Sequence, residues 1–322
     1  MDYSLLKMRI TDAKQINETY IQSMCDWYIR EIFIGDINIQ PKCVYVKVEF
    51  ITKFYNIYYP KINKDTKFIL ITGFSDKTIP NQVDPRFSRD DKQHSVIKTL
   101  LNQDNLVKWF AENCDELLPK MIGIPTGVFE TPELKLYFNR QFNNPIRFDD
   151  NITVLCCHRT RGWTHQRKLV DNLAKTKWNG IVEYVPHIDK NIFLDTLSCY
   201  TFTLCVNGGG LDPSPKAFEA IIAGSIPIIK YSSGIHSAYK DLPVVFVNEW
   251  EESELTPDKL KEWLRDKRIF YEDTNLRRET LYKLTSEYWE TTILSHLPRI
   301  YAEHISHVSS FSDSGAMVNC WT

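Results

Sequence analysis

The second half of the chain alternates short apolar runs with helical stretches, and this alternation constrains the fold more than any other feature. Five runs have the composition of buried strands: Ile152–Cys156, Ile181–Val185, Phe202–Val206, Ile226–Ile229 and Val244–Val247. Segments with helical spacing lie between and after them, at about 165–176, 189–199, 214–223, 256–266 and 274–305. Regular alternation of this kind is typical of parallel strands joined by helical crossovers. We therefore predict a doubly wound parallel sheet in an α/β domain.

The first half contains the same kinds of segment in a less regular order. Phe68–Thr72 is a continuous apolar run, which is the pattern of a parallel strand buried on both faces. Val44–Phe50 alternates like a strand, whereas residues 11–32 and 104–113 have helical spacing. Asn139–Asn151 is polar and aperiodic, so we expect a linker there. The 322 residues suffice for two domains, which we place at 1–150 and 151–322.

Composition excludes several classes of function. The 39 basic and 41 acidic side chains leave a net charge of −2, so there is no general positive field for nucleic acid. No run of about 18 apolar residues predicts a transmembrane segment, and the first residues lack the form of a secretion signal. We therefore expect a cytoplasmic protein. None of the eight cysteines forms a C-x-x-C pair, which favours reduced thiols over disulfides or a zinc site.

The loop after the first strand of the second half is rich in arginine. Arg159, Arg161 and Arg167 fall within nine residues, at the point where a strand ends and a helix begins. Helix N-termini offer unpaired N–H groups and the positive end of the dipole, and arginine adds bidentate contacts to phosphate oxygens. The pattern indicates a phosphate site. The alternative is a basic surface loop whose arginines are solvated or paired with carboxylates.

A glycine-rich segment follows the strand Phe202–Val206. Three consecutive glycines, which include Gly209 and Gly210, allow close approach of the backbone to a ligand. Ser214 is a suitable N-cap for the next helix, and Lys216 and Glu219 share one face near its start. We predict that this segment binds the ligand. The alternative is a glycine-rich turn followed by a salt bridge between Lys216 and Glu219.

The sequence from Ser214 to Ile229, SPKAFEAIIAGSIPII, resembles the donor-site segment of GT-B glycosyltransferases, most of all the exostosin family with its viral and bacterial relatives. There an acidic residue precedes a helix of small residues, a glycine and a strand containing proline. The likeness extends over residues 152–250, and the first half matches only in general layout. It implies a GT-B fold of two Rossmann-like domains facing a cleft, with the C-terminal helix packed on the N-terminal domain.

The same resemblance implies roles for particular residues. The C-terminal domain would bind a nucleotide sugar and the N-terminal domain would bind the acceptor. Glu219 would bind the ribose of the nucleotide, while Lys216, Arg161 and Arg167 would lie near the diphosphate. The base would be uridine or guanosine, and the resemblance favours uridine.

A carboxylate of the first half is the candidate catalytic base. Asp76 lies in the loop after Phe68–Thr72, and an inverting transferase needs a group that takes the proton of the acceptor hydroxyl. The alternative is a turn aspartate that caps the next segment, and His94 and Asp84 are weaker candidates for the base. The loop Tyr231–Gly234 follows another strand, where a helix cap is favoured over contact with the donor.

These observations predict a glycosyltransferase that moves a hexosyl or pentosyl group from a UDP-sugar to a hydroxyl of a glycan, protein or small molecule. We expect no cofactor and no metal, because no D-x-D lies at a strand end and because arginines, Lys216 and helix dipoles can neutralise the departing diphosphate. Dinucleotide and P-loop fingerprints are also absent from the sequence. The rival functions are a nucleotide-sugar epimerase of the same architecture and a non-catalytic nucleotide-sugar-binding protein.

Overall fold

The computed structural model describes residues 4–5, 21–149, 151–213 and 215–298. The first part of the chain builds a sheet of six strands in the order β2-β1-β3-β4-β5-β6. All neighbours are parallel except the pair of β2 with β1. The strands are β1 (Trp27–Ile29), β2 (Phe33–Gly35), β3 (Cys43–Lys47), β4 (Phe68–Gly73), β5 (Leu106–Ala111) and β6 (Met121–Gly123).

The second part builds a sheet of five parallel strands in the order β11-β10-β9-β7-β8. Its strands are β7 (Val154–Cys156), β8 (Val182–Tyr184), β9 (Phe202–Leu204), β10 (Ile226–Lys230) and β11 (Val245–Val247). Each prediction for these five strands is confirmed to within two residues at either end. Two parallel-sheet α/β domains are therefore present, as expected for a fold of the GT-B type.

Helices cover both sheets and join their strands. In chain order they are α1 (Ile51–Lys53), α2 (Asp91–Leu101), α3 (Pro132–Asn143), α4 (His165–Lys175), α5 (Phe193–Ser198), α6 (Pro215–Ala223), α7 (Ser233–Tyr239), α8 (Pro257–Lys267), α9 (Ile269–Glu272), α10 (Thr274–Tyr282) and α11 (Ser286–Leu294). Central strands are buried on both faces, and all six residues of β4 are buried. This double burial explains the continuous apolar run that marks β4 in the sequence. No helix of the described residues is long and apolar enough to cross a membrane.

Four expectations for the first half are wrong. Residues 106–111 form strand β5 instead of a helix, because pairing with β4 and β6 buries the β-favouring side chains of this segment. The predicted helix 11–32 fails over Trp27–Ile29, which is strand β1. The strand Val44–Phe50 ends at Lys47, where a 3₁₀ turn begins. Asn139–Asn143, expected in the linker, is the last part of α3.

The C-terminal helices contact the first part of the chain. The helical stretch expected at 274–305 is divided into α10 and α11, and its residues 299–305 lie outside the described ones. Arg278 Nε donates to Phe142 O at 3.1 Å, and the ring of His296 lies 5.4 Å from that of Phe110 in β5. The backbone N–H of Ser286 donates to Ser4 O at 2.8 Å.

The domains of the two sheets are in close backbone contact between β6 and α7. Gly123 at the end of β6 lies against the backbone of Gly234 in α7, and Gly234 in turn lies against the carbonyl of Cys114. A Cβ added at either glycine would collide with backbone atoms. Ser237 Oγ of α7 also accepts a hydrogen bond from the N–H of Gly123 at 3.2 Å. Glycine is required at both positions because backbone atoms cannot move aside as a side chain can.

We expect Gly234→Ala to destabilise the protein by about 1–3 kcal/mol, the usual cost of an added methyl group in a tightly packed contact. The measurement is the free energy of unfolding in urea. Gly162→Ala is the matched control, because a Cβ at Gly162 meets no atom within 4 Å and the residue has no positive φ. Equal stability of the two variants would contradict the close contact.

Candidate functional site

The order of strands in the second sheet reverses beside β7. The chain passes from β7 to β8 on one side and returns to β9 on the other, so that β7 lies between β8 and β9. In open parallel sheets a crevice forms where the order reverses, and ligands bind there beyond the carboxyl ends of the strands. The loops that follow β7 and β9 are the arginine-rich and glycine-rich segments. The topology thus places both predicted motifs at one crevice.

The loop after β7 is fixed by a buried histidine. The side chain of His158 is 1% exposed, and its Nε2 lies 2.7 Å from Asp171 Oδ1 and 3.1 Å from Arg167 O. Burial, assisted by the positive charge of Lys216, lowers the pKa of His158 to about 3. The imidazole is therefore neutral at pH 7, and Nε2–H donates to the two oxygens. His158 ties the loop to α4, on which Arg167 and Asp171 lie.

The predicted phosphate residues divide into an inner and an outer set. Arg167 lies half-buried in the crevice, where Nη1 donates to Arg159 O at 2.8 Å. Lys216 Nζ donates to the carbonyl of Cys157, so that it too lies beneath the loop. The side chains of Arg159 and Arg161 are exposed at the rim. The structure brings Arg167 and Lys216 together, and it leaves the other two arginines on the surface of the loop.

The carboxyl group of Glu219 lies half-buried near the start of α6. The salt bridge with Lys216 that the spacing allowed is not formed, because Lys216 donates to the Cys157 carbonyl instead. Among the described residues no hydrogen bond reaches the Glu219 carboxylate. Burial raises the pKa of Glu219 to about 7, although the positive charges of Lys216 and Lys190 act against this shift. The group is suited to accept hydrogen bonds from ligand hydroxyls.

Polar side chains occupy the space that each glycine leaves free. A Cβ at Gly208 would meet the guanidinium of Arg167, and a Cβ at Gly209 would meet Asp76 and Arg86. At Gly210, whose φ is +69°, a Cβ would meet the amide of Asn113. Loop 207–212 is termed the glycine loop below. Two cationic and two oxygen-bearing side chains lie against it, and three of the four belong to the first domain.

Hydrogen bonds join the glycine loop to the first domain. The N–H of Gly210 donates to Asp84 Oδ2 at 2.9 Å, and those of Leu211 and Asp212 donate to Asn113 Oδ1, each at 2.9 Å. Burial opposes the ionisation of Asp84, but hydrogen bonds from Arg86 and Gly210 outweigh it and lower the pKa of this carboxyl group. Asp84, a weaker candidate for the base, is therefore an ionised group engaged in the domain contact.

Asp76 reaches the crevice from the opposite side. Its Oδ2 accepts a hydrogen bond from Arg86 Nη1 at 3.0 Å, and its side chain is 31% exposed. The role of Asp76 as the base stays a prediction. His94 lies instead at a small pocket of about 10 Å³, where Nδ1 is 3.0 Å from Pro80 O.

Two other predicted positions differ in outcome. Ser232 caps α7, with its Oγ accepting from the N–H of Ile235 at 3.3 Å, which confirms the helix cap at Tyr231–Gly234. Ser214 lies outside the described residues.

Sequence reasoning missed Arg86 and Asn113. Asn113 follows β5. The sequence predicts a helix over this segment, and therefore predicts no ligand-binding loop at the end of a strand there. Asn113 has φ of +53°, and Phe74 and Gln82 in the facing loops also have positive φ, at +60° and +59°. Backbone strain of this kind clusters at functional sites. The sequence signal for Arg86 is its place in the polar stretch after β4, close to Asp76.

One group of described residues has the donor atoms of a metal site. Cys156, His158 and Asp171 are buried, and their ligand atoms lie within 4.8 Å of one another. Sulfur, nitrogen and carboxylate oxygen suit zinc. The nearby positive charge of Lys216, which lowers the pKa of His158, disfavours a second cation here. Independence of metal stays a prediction.

No protein-family model and no curated protein matches the sequence. Among solved structures the chain is similar to TarM, at 10% identity over 79% of this chain and a TM-score of 0.40. It is also similar to sucrose-phosphate synthase from Thermosynechococcus elongatus, at 11% identity over 83% of this chain and a TM-score of 0.42. A third similar structure is that of Anabaena HepE in complex with UDP, at 9% identity over 84% of this chain and a TM-score of 0.38. The chain spans 54%, 74% and 79% of these three proteins respectively.

We expect Glu219→Gln to remove a pH dependence of stability. The folded protein keeps the Glu219 proton up to about pH 7, whereas the ordinary pKa is 4.5. Between these values the folded state binds more protons, so the free energy of unfolding falls as pH rises. In urea unfolding the variant should gain stability relative to wild type from pH 4 to pH 8. The control Glu262→Gln, at a site 61% exposed, should show no such change. A constant difference between Glu219→Gln and wild type over this range would contradict the raised pKa.

Proposed function

We propose that this protein is a glycosyltransferase that moves a sugar from a nucleoside diphosphate sugar to an acceptor hydroxyl. The observation that carries the proposal is the crevice where the strand order reverses at β7. There Arg167 and Lys216 lie together beneath one loop, and the free carboxyl group of Glu219 lies one helical turn beyond Lys216. Cations for phosphates and an acceptor for ribose hydroxyls are the groups that a nucleoside diphosphate needs.

Different residues of the crevice would bind the diphosphate and the ribose of the donor. Arg167 and Lys216 neutralise the diphosphate, and the exposed Arg159 and Arg161 attract it from the rim. The carboxylate of Glu219 accepts hydrogen bonds from the ribose hydroxyls. Uridine is the first base to test, because residues 214–229 resemble the exostosin donor segment. Glycine at 209 and 210 lets the loop lie against Asp76, Arg86 and Asn113 of the first domain.

The transfer step follows from the placement of Asp76 across the crevice. The acceptor oxygen forms a bond to the anomeric carbon while Asp76 takes the hydroxyl proton. The bond from that carbon to the diphosphate oxygen breaks, and its electron pair leaves with the phosphate. Attack opposite to the departing group inverts the configuration of the sugar. The developing charge is stabilised by fixed cations, so the proposed reaction needs no metal.

Calorimetric titration of two variants tests the donor site. Glu219→Ala should weaken UDP binding by roughly 10- to 150-fold, because a charge-assisted hydrogen bond contributes about 1.5–3 kcal/mol. Arg167→Ala should weaken UDP binding far more than uridine binding, because it removes a phosphate contact. Glu262→Ala and Arg265→Ala, at exposed positions, are the matched controls. If both site variants bind uridine, UMP and UDP like wild type, the donor site lies elsewhere.

Turnover of Asp76→Asn tests the base. The rate of transfer should fall by about 100-fold or more, the scale of general-base catalysis. UDP affinity should not weaken, because Asp76 belongs to the opposite domain. The control Asp91→Asn removes a carboxylate that is 92% exposed. Assays contain excess EDTA, and full loss of wild-type activity on chelation, with recovery in manganese, would contradict the metal-independent mechanism.

Incubation with the donor alone separates this proposal from its rivals. An epimerase would convert the sugar of the donor without any acceptor. A non-catalytic binding protein would bind UDP yet give neither transfer nor isomerised sugar.

A further inference from the structure

We propose that Arg86 is a phosphate-binding residue that the first domain supplies to the donor site. The inference rests on the proposed function and deepens it. Arg86 lies in the loop between β4 and α2, whereas Arg167 and Lys216 lie in the second domain. The site for the diphosphate would then be complete only when the two domains are in contact.

The guanidinium of Arg86 is held rigidly at the crevice. Asp84 binds it in a fork, with Nε to Oδ1 at 3.0 Å and Nη2 to Oδ2 at 2.7 Å. The face of the group lies 4.2 Å from the ring centroid of Trp163, which belongs to the arginine-rich loop of the second domain. A cation held between a carboxylate and an aromatic ring is fixed in position and orientation.

The free edge of this group faces the glycine loop. Contacts to Asp84 and Asp76 use three of the five N–H groups of an arginine, so one N–H on each terminal nitrogen lacks a partner among the described residues. Nη2 lies 2.3 Å from the position that a Cβ of Gly209 would take, and Nη2 of Arg167 lies 2.5 Å from the corresponding position at Gly208. Two guanidinium groups from different domains therefore lie against consecutive residues of one loop.

The bond from Arg86 to Asp76 is the one that a phosphate can replace. It is a single contact at 3.0 Å to a side chain 31% exposed, whereas Asp84 is 6% exposed and bound twice. A phosphate oxygen that accepts from Nη1 would take the place of the Asp76 carboxylate. No covalent bond changes in this exchange.

Titration with inorganic pyrophosphate tests the inference. Arg86→Ala should weaken pyrophosphate binding by at least 10-fold, and Arg86→Lys should weaken it less, because lysine keeps the charge but loses the fork. Arg89→Ala is the matched control. Arg89 lies three residues after Arg86 in the chain, its side chain is 49% exposed, and it pairs with Asp91. Uridine binding should stay at the wild-type value in all three variants.

A variant of Asp76, whose carboxylate competes with phosphate for Arg86, provides a second test in which Arg86 is unchanged. Asp76→Asn should strengthen pyrophosphate binding, and this gain should shrink when Arg86 is alanine, because the two residues are coupled. A gain that is equal in both backgrounds would overturn the inference, as would wild-type affinity in Arg86→Ala. Failure of the proposed function has a different signature: wild-type protein, and not only the Arg86 variants, would bind neither pyrophosphate nor UDP.

Discussion

The contact between the glycine loop and the first domain is the constraint on which the rest of the site depends. Three successive backbone N–H groups, at Gly210, Leu211 and Asp212, donate to Asp84 and Asn113 across the domain boundary. These bonds fix the loop that follows β9 and set how closely the two sheets' carboxyl ends approach. A side chain on Gly209 would collide with Arg86 and Asp76 of the first domain, and one on Gly210 would collide with Asn113. The glycine run is thus explained by neighbouring side chains as much as by a ligand.

Charge is arranged unevenly across this boundary. The second domain brings buried or half-buried cations, Arg167 and Lys216, and burial lowers the pKa of both. The first domain brings the carboxylates Asp76 and Asp84 with Arg86 between them. An anionic ligand would therefore be attracted by Arg167 and Lys216 and would meet the first domain at Arg86, while a hydroxyl that must lose a proton would lie near Asp76.

The second half could be predicted from its sequence because each strand there is a short apolar run bounded by helical spacing. The positions of Arg167, Lys216 and Glu219 followed from the rule that ligands bind at the carboxyl ends of such strands. The same rules gave wrong elements in the first half. Leu106–Ala111 is apolar enough for a strand or a buried helix, and only its pairing with β4 and β6 decides between them. Arg86 and Asn113 were missed because long-range contact, which leaves no local pattern, brings them to the glycine loop.

The contact of Gly123 with Gly234 limits how closely the two domains can approach each other. Backbone lies directly on backbone there, and no flexible side chain can lengthen or shorten to absorb a displacement. The spacing of the domains at this point is therefore set by main-chain atoms. The ring of Trp163 lies 4.2 Å from the guanidinium of Arg86 across the same boundary. A change in that spacing would change the surroundings of this indole, and with them its fluorescence.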